Sequence, residues 1–204
     1  MGGLLAECRS LPSIPHQSKY QPIHPTSVRE NIVLIGFMGS GKSSIGRQIA
    51  GRLGFRFVDT DALIVQGAGL PIAEIFARDG EEAFRDLETA AIESLAHTGH
   101  CVIATGGGVV LRERNRALLR ELGLVILLTA SEDVIFERVS RNTRRPLLQT
   151  PNPRETVSRL LAARQPSYEA AAQWTLDTST LSHAQSATAV IAEATRAFSW
   201  QDGG

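Results

Sequence analysis

Residues 36–43, Gly-Phe-Met-Gly-Ser-Gly-Lys-Ser, match the spacing G-x-x-x-x-G-K-[ST] in full, directly after the apolar run 31–35. Glycines at this spacing let successive backbone N–H groups turn toward one anion, and a following helix adds the positive end of its dipole. Lys42 is the cation for the β- and γ-phosphates of a nucleotide, and Ser43 offers a hydroxyl to Mg2+. Asp59-Thr60-Asp61 follows at the end of a second apolar run. Taken alone, an Asp-x-Asp reads as a turn or helix cap. Beside a nucleotide loop, one carboxylate can serve a Mg2+ shell while the other takes a proton from, or orients, an attacking hydroxyl. Gly106, Gly107 and Gly108 close a third run and read equally as a tight turn or as amides beside a small ligand. Arg85 and Glu88 stand at i, i+3 on a helical stretch and are expected to pair.

These residues must be positioned by a regular frame, and the hydrophobic pattern supplies one. Short runs at 31–35, 55–59, 101–105, 124–128 and 174–177 are expected as strands. Most are apolar throughout, as strands covered on both faces are. Helical patterns are expected at 42–52, 71–78, 80–97, 112–121, 131–141, 153–172 and 184–198, with Asp79-Gly80 breaking the second from the third. This alternation predicts an α/β domain with a parallel sheet and ligands at the carboxyl ends of its strands. Residues 142–153 carry Arg144, Arg145 and three prolines between two helices, a composition suited to a lid or binding loop.

Composition narrows the class. Lys+Arg and Asp+Glu both total 21 in 204 residues, giving zero formal charge, which argues against a nucleic-acid partner. No apolar run approaches the roughly 20 residues of a membrane span, so no membrane partner is expected. Cys8 and Cys101 make no disulfide framework, and this usage suits a reducing cytoplasm. Residues 1–27 are expected to be a poorly ordered extension, 28–200 one domain, and 201–204 a short tail.

Together the segments GFMGSGKSSIGRQIA, DTD, IAEIF, EEAFRDLE, ATGGG, RRPLL and RQPSY resemble shikimate kinases in order and spacing, over about residues 31–196. The resemblance implies a three-layer P-loop kinase fold with a five-stranded parallel sheet, flanking helices and a mobile lid. It implies Mg2+-dependent transfer of the ATP γ-phosphate to the 3-hydroxyl of shikimate, on the route to chorismate and the aromatic amino acids, by a monomer. Asp61 would meet the reacting hydroxyl. Asp59 and Ser43 would serve Mg2+. Gly39, Ser40, Gly41, Lys42, Ser43 and Ser44 would cradle the nucleotide, with Arg138 on adenine. Arg85 and Arg164 would bind the shikimate carboxylate, with Glu88 holding the substrate arginine in place. Gly107 would offer its N–H between Gly106 and Gly108, and Phe76 and Phe84 would wall the ring. Arg145, in the lid, would close over the transferring phosphoryl group. Near His183 the family can place a proline against adenine, and this chain departs from that pattern.

Overall fold

The computed structural model describes residues 30–140 and 151–200. Five parallel strands form one sheet: β1 (Ile32–Ile35), β2 (Arg56–Asp59), β3 (Cys101–Ala104), β4 (Leu124–Thr129) and β5 (Trp174–Asp177), in the order β2-β3-β1-β4-β5. Around it lie α1 (Lys42–Leu53), α2 (Thr60–Ala68), α3 (Ile72–Glu93), α4 (Glu113–Leu122), α5 (Glu132–Ser140), α6 (Pro153–Ala171) and α7 (His183–Phe198). This is the expected three-layer P-loop kinase fold.

The continuous apolar runs explain the layering. In β1, Ile32 and Leu34 face Ile45, Ile49, Ala187 and Val190 in one core. Val33 and Ile35 belong to the opposite core with Leu119, Ile135, Val157 and Tyr168. Adjacent residues thus serve opposite faces, as the two-residue period of a strand requires. At the entry edge, buried Asn31 fixes the register: its Nδ2 donates to Thr98 O (2.9 Å) and Leu122 O (2.8 Å), and its Oδ1 accepts from Cys101 N (2.9 Å). Cys101 is buried in the strand, as expected.

Three features differ from the expected elements. Residues 60–68 form a helix, α2, that the apolar pattern did not suggest; its cap is Asp59, whose side chain accepts from Asp61 N and Ala62 N, and Gly69 ends it. The helices expected at 71–78 and 80–97 lie end to end along α3, with the break between them where it is expected, at Gly80 (φ 84°, ψ 177°). That element stops at Glu93. A single 3₁₀ turn, Val109–Leu111, also follows the glycine triplet. Among the described residues no single helix is long and apolar enough to cross a membrane. The expected lid falls mostly outside the described residues: 142–150 lie beyond them, and 151–153 lead into α6.

Candidate active site

The carboxyl ends of β1, β2 and β3 open onto one cleft of about 480 Å³. The β1–α1 loop forms its floor. Gly41 caps α1 in a left-handed conformation (φ 96°), with no side-chain cap and no acidic residue in the first turn, so the first amides of α1 are left to an anion. Lys42 is 9% exposed, and its Nζ donates to Gly36 O (2.7 Å) and Phe37 O (2.9 Å), which holds the cation at the loop. Gly39, Gly41, Lys42, Ser43 and Ser44 all line the cleft. Ser40 is fully buried, its Oγ without a hydrogen-bond partner among the described residues.

Asp59 performs two tasks with two oxygens. Oδ1 accepts from Asp61 N (3.1 Å) and Ala62 N (3.4 Å), capping α2, while Oδ2 accepts from Ser43 Oγ (2.9 Å). The cap and the chemical reading of Asp59 are therefore compatible. Among the described residues no cluster of three or more His, Cys, Asp or Glu side chains is arranged to hold a metal by itself. The Ser43–Asp59 oxygen pair still fits Mg2+, which commonly takes only one or two protein oxygens and completes its shell with water and phosphate.

Opposite the loop, Asp61 and Glu88 converge on Gly106. A Cβ at Gly106 would lie 2.6 Å from Asp61 Oδ1 and 2.8 Å from Glu88 Oε1, so any side chain there would push the carboxylates aside. Thr60 Oγ1 accepts from Gly106 N (3.1 Å) and ties the triplet to α2. Gly107 O accepts from Arg164 Nη1 (3.3 Å) and Tyr168 OH (2.6 Å). The Phe76 and Phe84 rings pack with centroids 4.6 Å apart on one wall. Arg138, also lining the cleft, donates to Gly39 O (3.3 Å) and to Thr178. His183 flanks the loop at the same end.

One expected pairing is corrected. Arg85 does not hydrogen-bond Glu88; its Nη2 donates instead to Glu81 Oε1 at 2.6 Å, four residues back. Glu81 is an exposed partner that Arg85 reaches along the helix surface, whereas Glu88 turns inward and is 3% exposed. A pair this solvated contributes little stability, so Arg85 can exchange Glu81 for an incoming carboxylate at small cost. Arg145 lies outside the described residues. Every other candidate residue except Ser40 lines the cleft.

Burial, and next the neighbouring Asp61 carboxylate, push the Glu88 pKa from its ordinary 4.5 up to about 7, against the pull of Arg85, Arg164 and Arg112. The folded protein therefore binds this proton more tightly than the unfolded chain does. That stabilisation is complete below about pH 4.5 and is lost as pH rises through about 7. Glu88→Gln should accordingly gain stability relative to wild type between pH 5 and pH 8, by on the order of 2 kcal/mol. Urea denaturation at both pH values checks this; the same difference at each would contradict it.

Some contributors sit within the quoted segments DTD, EEAFRDLE and RQPSY without a role that residue type alone announces. Thr60, Glu81 and Tyr168 are ordinary residue types whose roles depend on what the fold brings beside them. Asn115 is 1% exposed and bridges the triplet's turn to α3, donating to Val109 O (3.0 Å) and accepting from Thr89 Oγ1 (2.8 Å).

A statistical description of the shikimate kinase family matches residues 38–195. A shikimate kinase of Thermodesulfovibrio yellowstonii is 48% identical over 164 residues, covering 80% of this chain and 94% of the relative. One from Geobacter sulfurreducens is 54% identical over 138 residues, 68% of this chain and 76% of its own. Among solved structures, shikimate kinase from Acinetobacter baumannii in complex with shikimate superposes with a TM-score of 0.77 at 34% identity, covering 85% of this chain and 95% of that one.

Proposed function

From the premise that the chain belongs to the shikimate kinase family, we infer how its residues divide the labour of phosphoryl transfer. The enzyme transfers phosphate from ATP to shikimate, a step of aromatic amino acid biosynthesis through chorismate. The proposed acceptor oxygen is the 3-hydroxyl.

In this reading the amides of Gly39, Ser40, Gly41, Lys42, Ser43 and Ser44 receive the phosphates, and Lys42 neutralises charge on them. Ser43 and Asp59 would hold Mg2+, which when bound offsets charge on the phosphate oxygens. Arg138 provides a flat cation for adenine, with His183 where the family can carry a proline. Asp61 orients the acceptor hydroxyl and takes its proton as the bond to phosphorus forms. Arg85 and Arg164 bind the shikimate carboxylate through their guanidinium forks. Gly107 contributes its amide, with Gly106 and Gly108 leaving room for it, and Phe76 and Phe84 cover the ring. Arg145 is assigned its place over the transferring group from the RRPLL motif alone. Glu88 acts here as a buried acid behind Asp61 rather than as the partner of Arg85.

The observation that carries this division is the meeting of Asp61, Arg85, Arg164 and the glycine triplet in one cleft with the phosphate loop. A phosphate loop alone would serve any small-molecule kinase; two arginines opposite a carboxylate suit a carboxylated alcohol. We place the enzyme in the cytoplasm as a monomer, on cysteine usage and family resemblance. ADP release measured with shikimate, gluconate and other hydroxy acids tests the acceptor. Shikimate should be strongly preferred, and turnover of gluconate with none of shikimate would refute the assignment.

A further inference from the structure

Tyr168 lies one turn beyond Arg164 on α6 and is 2% exposed. Phenylalanine would fill the same volume, so the hydroxyl calls for a reason. A buried hydroxyl is costly unless paired. Here it donates to Gly107 O at 2.6 Å, the oxygen that Arg164 Nη1 also reaches at 3.3 Å. Burial pushes the phenol pKa up to about 12, partly opposed by Arg164, so the group remains a neutral donor at working pH.

The consequence follows from peptide geometry. In a planar trans peptide the carbonyl of one residue and the N–H of the next point in opposite directions. Two donors from α6 on Gly107 O therefore aim Gly108 N–H away from α6. No side chain locks the Gly107–Gly108 plane by itself. Both residues line the cleft, and neither N–H meets an acceptor among the described residues. The same carbonyl accepts from Arg164, whose guanidinium also lies 5.7 Å from the centroid of the Phe37 ring.

We propose that Tyr168 is a positioning residue for the acceptor: its hydroxyl fixes the Gly107 carbonyl, and with it the turn that carries the Gly107 amide and the Arg164 guanidinium, the two groups assigned above to shikimate. This rests on the acceptor roles given above to Arg164 and the triplet. Tyr168→Phe should raise KM for shikimate about tenfold, the size expected for losing one positioned hydrogen bond. KM for ATP should stay within about twofold and kcat within about threefold of wild type. A purely structural tyrosine would alter thermal stability and leave the ratio of the two KM values alone. An unchanged shikimate KM, or an equal rise in both, overturns the proposal. Should Tyr168→Phe fail to fold, 3-fluorotyrosine installed at 168 gives a stronger donor of nearly the same size. Shikimate KM should then fall below wild type, and no change would overturn the proposal. Arg164→Ala measured in parallel separates the two layers. If it leaves shikimate KM unaltered, the acceptor assignment fails; if it raises KM while Tyr168→Phe is silent, only the role of Tyr168 fails.

Discussion

Asp61→Asn lowers kcat by about 10³-fold while leaving KM for ATP near wild type. Asparagine is the informative choice because space at this point is tight: Asp61 Oδ1 lies 2.6 Å from where a Gly106 Cβ would be. A side chain of the same size preserves that packing, so a loss reports on charge and proton acceptance rather than on a collapsed pocket. The backbone N–H of Asp61 caps onto Asp59 Oδ1 whichever side chain is present, so α2 should stay formed. The phosphate loop is held by separate bonds from Lys42 to Gly36 and Phe37, so nucleotide affinity should persist. Steady-state kinetics with both substrates varied gives the answer. Turnover close to wild type would remove Asp61 from the transfer step.

Arg164→Ala raises KM for shikimate by about 10²-fold with a smaller fall in kcat. Removing a charged partner from a shielded carboxylate site costs about 2–5 kcal/mol, which brackets this change. Arg164 is partly buried and already directed at the acceptor end of the cleft by its bond to Gly107 O. Arg164→Lys keeps the charge but loses the two-pronged geometry, so it should recover only part of the affinity. Titration of shikimate into each variant checks the order wild type, then lysine, then alanine. Equal affinities for lysine and wild type would mean that charge alone suffices.

The parts of this site legible in the sequence were those encoded by local pattern. Runs such as 31–35 and 124–128 predict strands because both faces are covered, and both cores use them. The break at Asp79-Gly80 was readable because glycine reaches φ 84° without strain. The helix α2 is hard to read from Asp59-Thr60-Asp61, because Asp59 fits both a helix cap and a carboxylate beside the phosphate loop. One oxygen of Asp59 does each job, and nothing in the order of residues separates them. The partner of Arg85 is hidden for a different reason. Spacing on a helix allows both i−4 and i+3 neighbours, and the tertiary fold turns Glu88 inward toward Gly106. Tyr168 holds the carbonyl of Gly107 from a distant helix, and Asn115 ties its neighbouring turn to Thr89 on α3, arrangements that only folding creates.

The central claim is that this cleft delivers the ATP γ-phosphate to one hydroxyl of shikimate. Phosphorus NMR of the product formed by the purified protein from ATP, Mg2+ and shikimate tests it most directly. The expected products are ADP and one new phosphate monoester whose phosphorus couples to the hydrogen on C3. A phosphate on another hydroxyl, or ADP formed without any phosphorylated shikimate, would contradict it.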